Sequence, residues 1–180
     1  MPTTQSPAQP DLASASTTPP IPGQYWPAQG GWYAGIQRSE DGSSGWHLIL
    51  PQGSQFLLRD VTWGQRGQTV EGAGNQFDGM ANTLAMAEAG NELAKHIRTL
   101  PGDCYLPSRF EAALLYATVL EQIQQQGYWY WTSTQYSSTF AWMQLFTNGY
   151  QFIYGKDYEG RAVAVRRLVL QSFNTLDVAP

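Results

Sequence analysis

The chain is expected to be an α+β protein, with two helices packed beside antiparallel sheets and its N- and C-terminal strands paired. Three observations predict this. Residues 129–166 alternate large and small side chains on both sides of Asn148-Gly149, the strongest short-range signal of a β-hairpin. Residues 81–100 and 108–126 carry apolar residues at helical spacing. Short strand-like runs precede these helices and a Val-rich run follows them, which is the segregated order of an α+β fold.

In chain order, residues 1–23 are mostly Pro, Ser, Thr, Ala and Gln. Such a stretch cannot bury enough apolar surface to fold alone. It is expected to be a flexible tail or a docking arm ordered against a partner, with the domain occupying residues 24–180. Trp32 to Ile36 and Trp46 to Leu50 predict a hairpin turned at Glu40-Asp41-Gly42. Residues 53–79 are Gly-rich and are expected to be irregular with short strands. In the first helix Leu84, Ala87, Leu93 and Ile97 share an inner face, and Pro101-Gly102 ends it. The second helix opens on a capping box, Ser108 with Glu111 three residues on. It buries Leu114, Leu115, Val119 and Ile123 and stops at Gly127. The hairpin is expected to use a type I′ turn at Asn148-Gly149, where both residues tolerate positive φ. The final strand, residues 162–170, is expected to pair with the first and close the domain.

Length and composition narrow the function classes. At 180 residues the chain can build an ordinary core without disulfides or metals. Formal charge is −4, only Lys95 and Lys156 are lysines, and no basic run occurs, so nucleic acid is not an expected partner. No apolar stretch is long enough for membrane insertion. The N-terminus lacks a basic start followed by an apolar run, so no signal peptide and synthesis in a cytoplasm are expected. With charged residues at only 13 %, the surface is polar but nearly uncharged, as in many β-rich extracellular or virion proteins.

No enzymatic constellation emerges. Cys104 is the only cysteine and has no nearby histidine. His47 lies in an apolar strand and is expected to be a hydrogen-bonded core or edge residue. His96 is expected on a helix surface; neither has partners at metal-ligand spacing. Glu88 and Glu92 at i, i+4 fit a solvated face. Gly72, Gly74 and Gly79 lack the lysine of a phosphate loop. No catalytic residue, metal or cofactor is expected.

Several motifs resemble a known family. Tyr105-Leu-Pro-Ser-Arg109 with Glu111, Tyr130-Trp-Thr-Ser-Thr-Gln-Tyr-Ser137, Ala141-Trp142 with Gln144 and Phe146, Asn148-Gly149, Lys156 and Ala164-Val-Arg-Arg167 resemble phage-borne domains of the C-type-lectin-like fold, the Lcl C-terminal-like domains. Gly30 to Ile36, Trp46 to Leu50 and Phe77 to Thr83 extend the resemblance over residues 30–170. Several such domains serve as variable receptor-binding proteins of diversity-generating retroelements. In those targets, adenine randomisation turns AAY codons into NNY.

The resemblance implies a candidate ligand-binding face built from Tyr136, Ser137, Ser138, Thr139, Phe140, Met143, Leu145, Thr147, Tyr150, Phe152, Ile153, Tyr154, Asp157 and Tyr158. All but Met143 are residue types that NNY codons can encode, as are Asn148 and Gly155; Glu159 is not. Trp131, Trp142, Gln144, Phe146, Lys156 and Arg166 are the family-like fixed residues between them, and Trp142 is expected in the core. Strand alternation alone allows either face of the hairpin to be the inner one. The resemblance implies Tyr150, Phe152 and Tyr154 outward, in one exposed patch with Tyr136, Phe140 and Tyr158.

The function so implied is non-catalytic receptor binding at a phage tail-fibre tip, located on a virion or cell surface. The ligand would be a host-surface protein or glycan. Residues 1–23 would engage other virion or tail proteins, and a homo-oligomer, for instance a trimer, would fit. Formylglycine-generating enzymes share the fold but use a cysteine pair, which this chain lacks. A structural virion domain using the same face for assembly is the third alternative. The chain has no counterpart of the acidic EPN and WND motifs of calcium-dependent sugar lectins, so no obligatory Ca²⁺ is expected.

Overall fold

The computed structural model describes residues 17–123 and 126–170. The elements are β1 (Tyr25–Trp26), β2 (Gly31–Arg38), β3 (Gly45–Pro51), β4 (Leu57–Val61), α1 (Gly79–Glu88), α2 (Glu92–Thr99), α3 (Arg109–Val119), β5 (Trp129–Gln135), β6 (Phe140–Leu145), β7 (Gln151–Gly155), β8 (Gly160–Val163) and β9 (Arg166–Val169). The α+β class holds. Two sheets, in the orders β1-β2-β3-β9 and β4-β8-β5-β6-β7, pack with the helices.

The first hairpin forms as the alternation predicts: β2 pairs antiparallel with β3. The final strand departs from expectation. It breaks at Ala164-Val165, where Val165 forms an isolated bridge with Tyr105. The piece before the break, β8, runs parallel to β5 in the second sheet. The piece after it, β9, pairs with β3 and not with β2. The last strand therefore joins both sheets, and the N-terminal sheet is still closed by a C-terminal strand.

The first predicted helix is two. Gly90 takes φ +85° and Asn91 caps α2, its side chain accepting from the amide of Ala94. Leu84 is exposed as a result, while Leu93 and Ile97 are buried. The helix α3 keeps its predicted start: the Ser108–Glu111 capping box is complete.

The second sheet is covered on both sides. One side packs Trp131, Ala141, Met143 and Ala162 against Trp63, Met86, Leu93 and Ile97. The other packs Tyr130, Phe146 and Val163 against Leu115 and Val119 of α3 and Leu48 and Leu50 of β3. Burying each such large side chain contributes about 1.5–3 kcal/mol. Both sides of the sheet are therefore apolar, and alternation could not distinguish them.

Residues 1–16 of the tail or docking arm lie outside the described residues. The packed fold begins where the amide of Gly23 donates to the carbonyl of Tyr33 at 2.7 Å. No helix among the described residues is long and apolar enough to cross a membrane.

Candidate functional site: the aromatic edge of the hairpin

The hairpin β6–β7 is in unbroken register from Phe140↔Gly155 to Gln144↔Gln151. Its turn differs from the expected type I′. Only Gly149 has positive φ, at +78°, and its amide donates to the carbonyl of Leu145 at 3.0 Å. Residues 146–150 form the connection. The carboxamide oxygen of Asn148 accepts from the amide of Tyr150, which fixes the start of β7.

Residues paired across antiparallel strands share a sheet face. Phe152 pairs with Met143 and Tyr154 with Ala141, so the odd-looking result is that the predicted outward residues share a face with core residues. They escape burial because β7 is the sheet's edge and the covering core does not extend over it. Tyr150 is 56 % exposed and Phe152 48 %, whereas Tyr154 is half-buried against the core and Trp129. Their rings form a ladder. Tyr150 and Phe152 stack with centroids 6.3 Å apart, Phe152 meets Tyr154 edge-on at 5.9 Å, and Tyr154 meets Tyr158 at 4.9 Å. Trp129 backs the ladder, 6.2 Å from Tyr150 and 5.0 Å from Tyr154.

The single exposed patch expected from the sequence is instead two. Tyr136 stands edge-on to Trp142 at 5.8 Å. Trp142 pairs with Ile153 and so faces away from the ladder. It is half-buried, not a core residue, because the guanidinium of Arg109 lies 3.8 Å above its ring. Arg109 is held there by donating to Gln151 Oε1 at 2.8 Å and Gln76 Oε1 at 3.1 Å. Phe110 and Phe77, 4.7 Å apart, extend this second surface.

The remaining predicted positions divide by location. Met143 is wholly buried in the core and cannot contribute contact surface. Leu145 and Ile153 are half-buried, Ile153 on the Trp142 face. Ser137 Oγ accepts from the amides of Thr139 and Phe140, so it shapes its loop. The Ser138 and Thr139 carbonyls accept from the amides of Gly67 and Lys156. Phe140 lies 6.0 Å from the Arg66 guanidinium, which also reaches exposed Asp157 at 4.0 Å. Thr147 is exposed and donates to the carbonyl of Gln126.

Lys156 holds these loops together. Its ammonium is buried and donates at 2.6 Å to both the Gln68 carbonyl and Gln135 Oε1, 4.3 Å from the Trp63 ring centre. Burial lowers its pKa to about 8. The amide of Gly64 in turn donates to the Lys156 carbonyl. The loops at residues 64–70, 136–139 and 156–158 therefore converge on one buried cation.

The remaining motif residues are structural. Glu111 is sealed in the interior with four donors: Trp46 Nε1 at 2.8 Å and Tyr105 Oη at 2.5 Å on one oxygen, and the amides of Ser108 and Gly79 at 2.8 and 3.0 Å on the other. Burial raises its carboxyl above the ordinary value, outweighing these hydrogen bonds. Cys104 is buried, donates to the Pro101 carbonyl, and is pushed up to about 11 by burial, so its thiol stays protonated. His47 meets expectation: its Nδ1 lies 2.8 Å from the Tyr33 hydroxyl. His96 is exposed on α2, also as expected. The hollow of about 400 Å³ between residues 62–70 and 89–93 is lined by one ionisable group, Glu92.

Sequence reasoning missed Trp129 as part of the ladder and the Arg109–Trp142 pair. The first was legible in the aromatic run Tyr128 to Trp131, since Trp129 and Trp131 share a face. The second joins a helix to a strand and leaves no local signal. No protein-family model matches the chain, and the comparison with curated proteins finds no match.

Proposed function

We propose that the chain is a non-catalytic ligand-binding protein of C-type-lectin-like fold, acting as a receptor-binding domain at a phage tail tip. The observation that carries this proposal is the aromatic ladder of Phe152 and Tyr154 on an edge strand that bears no charge, continued by Tyr150 before it and Tyr158 after it. Exposed large apolar groups held in register are costly to leave in water and mark binding surfaces. Tyrosine gives rigid contact area with little rotamer entropy lost on binding, and the side chains of Ser138 and Thr139 offer adaptable hydrogen bonds. The buried Lys156 supports the same proposal, because it anchors the bordering loops from beneath and leaves their outer side chains free to vary. The buried, protonated Cys104 gives no support to the formylglycine-type alternative.

The test is adsorption of the fluorescently labelled chain to a panel of bacterial strains. Binding to a subset of strains is expected, with loss of about tenfold or more in the Phe152→Ala, Tyr154→Ala double variant. Equal binding by the two proteins, or binding to no strain, contradicts the proposal.

A further inference from the structure

The edges of the two sheets are not alike. Strand β1 is only two residues long. Strand β4 carries Arg59 and Asp60, the latter at φ +52°, and its register shifts between Leu58 and Val61. Strand β9 opens with Arg166 and Arg167. Short length, charge and bulges are the devices by which proteins keep sheet edges from pairing. Strand β7, Gln-Phe-Ile-Tyr-Gly, has none of them: no charge, no proline and no register shift.

The hydrogen-bonding pattern shows which of its groups are unused. The amide of Leu145 donates to the Tyr150 carbonyl at 2.8 Å, and the amide of Lys156 to the Thr139 carbonyl at 3.0 Å. Alternation between these two bonded pairs turns the amides and carbonyls of Phe152 and Tyr154 toward β6. Those of Gln151 and Ile153, and the amide of Gly155, point away from the sheet. Among the described residues no strand pairs with them.

We infer that β7 accepts an extended segment of a partner polypeptide as an added strand, with the aromatic ladder flanking it. The inference rests on the binding role of the ladder and names its partner as a protein. A row of alternating donors and acceptors at about 3.3 Å per residue is complementary to an extended peptide backbone. On one side of such a strand, alternate side chains would meet Phe152 and Tyr154. On the other they would meet Ile153, Gln151 and the Arg109–Trp142 pair. Main-chain bonds would supply affinity independent of sequence, and the aromatic side chains would supply selection.

The probe is a synthetic linear peptide chosen from a displayed random library on the immobilised full chain. Its effect is read by amide hydrogen exchange and by affinity. In the free chain the amides of Phe152 and Tyr154 should be protected, while those of Gln151, Ile153 and Gly155 exchange freely. Saturating peptide should slow the second set by about tenfold or more. Ile153→Pro removes an outward amide and should weaken binding about tenfold, whereas Ile153→Thr should not. N-methylation of the peptide should weaken binding at alternate positions, a readout that does not depend on how Ile153→Pro folds. Outward amides already protected in the free chain would overturn the inference, because a second copy or the chain's own segment would then hold the edge. Peptide binding abolished by Phe152→Ala but indifferent to Ile153→Pro and to N-methylation would also overturn it and leave the ladder's binding role standing. If no selected peptide responds to Phe152→Ala either, both fall.

Discussion

The ammonium of Lys156 lies 2.6 Å from Gln135 Oε1, and both of its hydrogen-bond partners are neutral. A charge kept from water by neutral groups favours its own deprotonation, hence the value of about 8 against an ordinary 10.5. Between those values the unfolded chain binds the proton that the folded chain has released. Stability should therefore rise as pH climbs from about 8 toward 10.5, and the cost of burying the charge is fully present below about 8. Urea unfolding across that range should show the rise in the wild type and lose it in Lys156→Met.

Glu111 can serve its four donors only as an acceptor at both oxygens. Glu111→Gln places an amide group against two of them, the indole and phenol or the two backbone amides. A loss of about 2–3 kcal/mol is expected, measured by chemical denaturation.

Trp142 and Trp131 should respond differently. Trp131 is 1 % exposed in the core, and Trp131→Ala should cost about 3–5 kcal/mol. Trp142→Ala loses a half-buried ring and a cation–π contact, and should cost about 1–2 kcal/mol. Thermal unfolding of the pair checks the order.

These two tryptophans also show what the sequence could reveal. The α3 start was legible because a capping box is local: Ser108 and Glu111 are three residues apart. The break between α1 and α2 was also written locally, in Gly90-Asn91, but the apolar stripe running through it masked the stop and the new cap. The facing of Trp142 was not legible. The second sheet has a core on each side, so period-two alternation carries no sign of which side is open. The parallel pairing of β8 with β5 and the edge position of β7 depend on contacts between distant segments, and those decide which tyrosines are exposed. The division of the candidate residues between two faces came from the strand register.

Gly149 has a double constraint. Its φ is +78°, and a Cβ there would lie 2.5 Å from the Tyr116 ring. Gly149→Ala should cost about 1–3 kcal/mol and loosen the start of β7, seen as faster exchange of the Leu145 amide.

The central claim is that the ladder on β7 is a surface for binding and not part of the core. Phe152→Ala tests it most directly, with thermal stability and adsorption to a strain that binds the wild type measured on the same protein. Stability within about 0.5 kcal/mol of wild type is expected, because the ring is half exposed at a sheet edge. Adsorption should fall about tenfold. A variant that unfolds as readily as Trp131→Ala, or that adsorbs as well as the wild type, would contradict the claim.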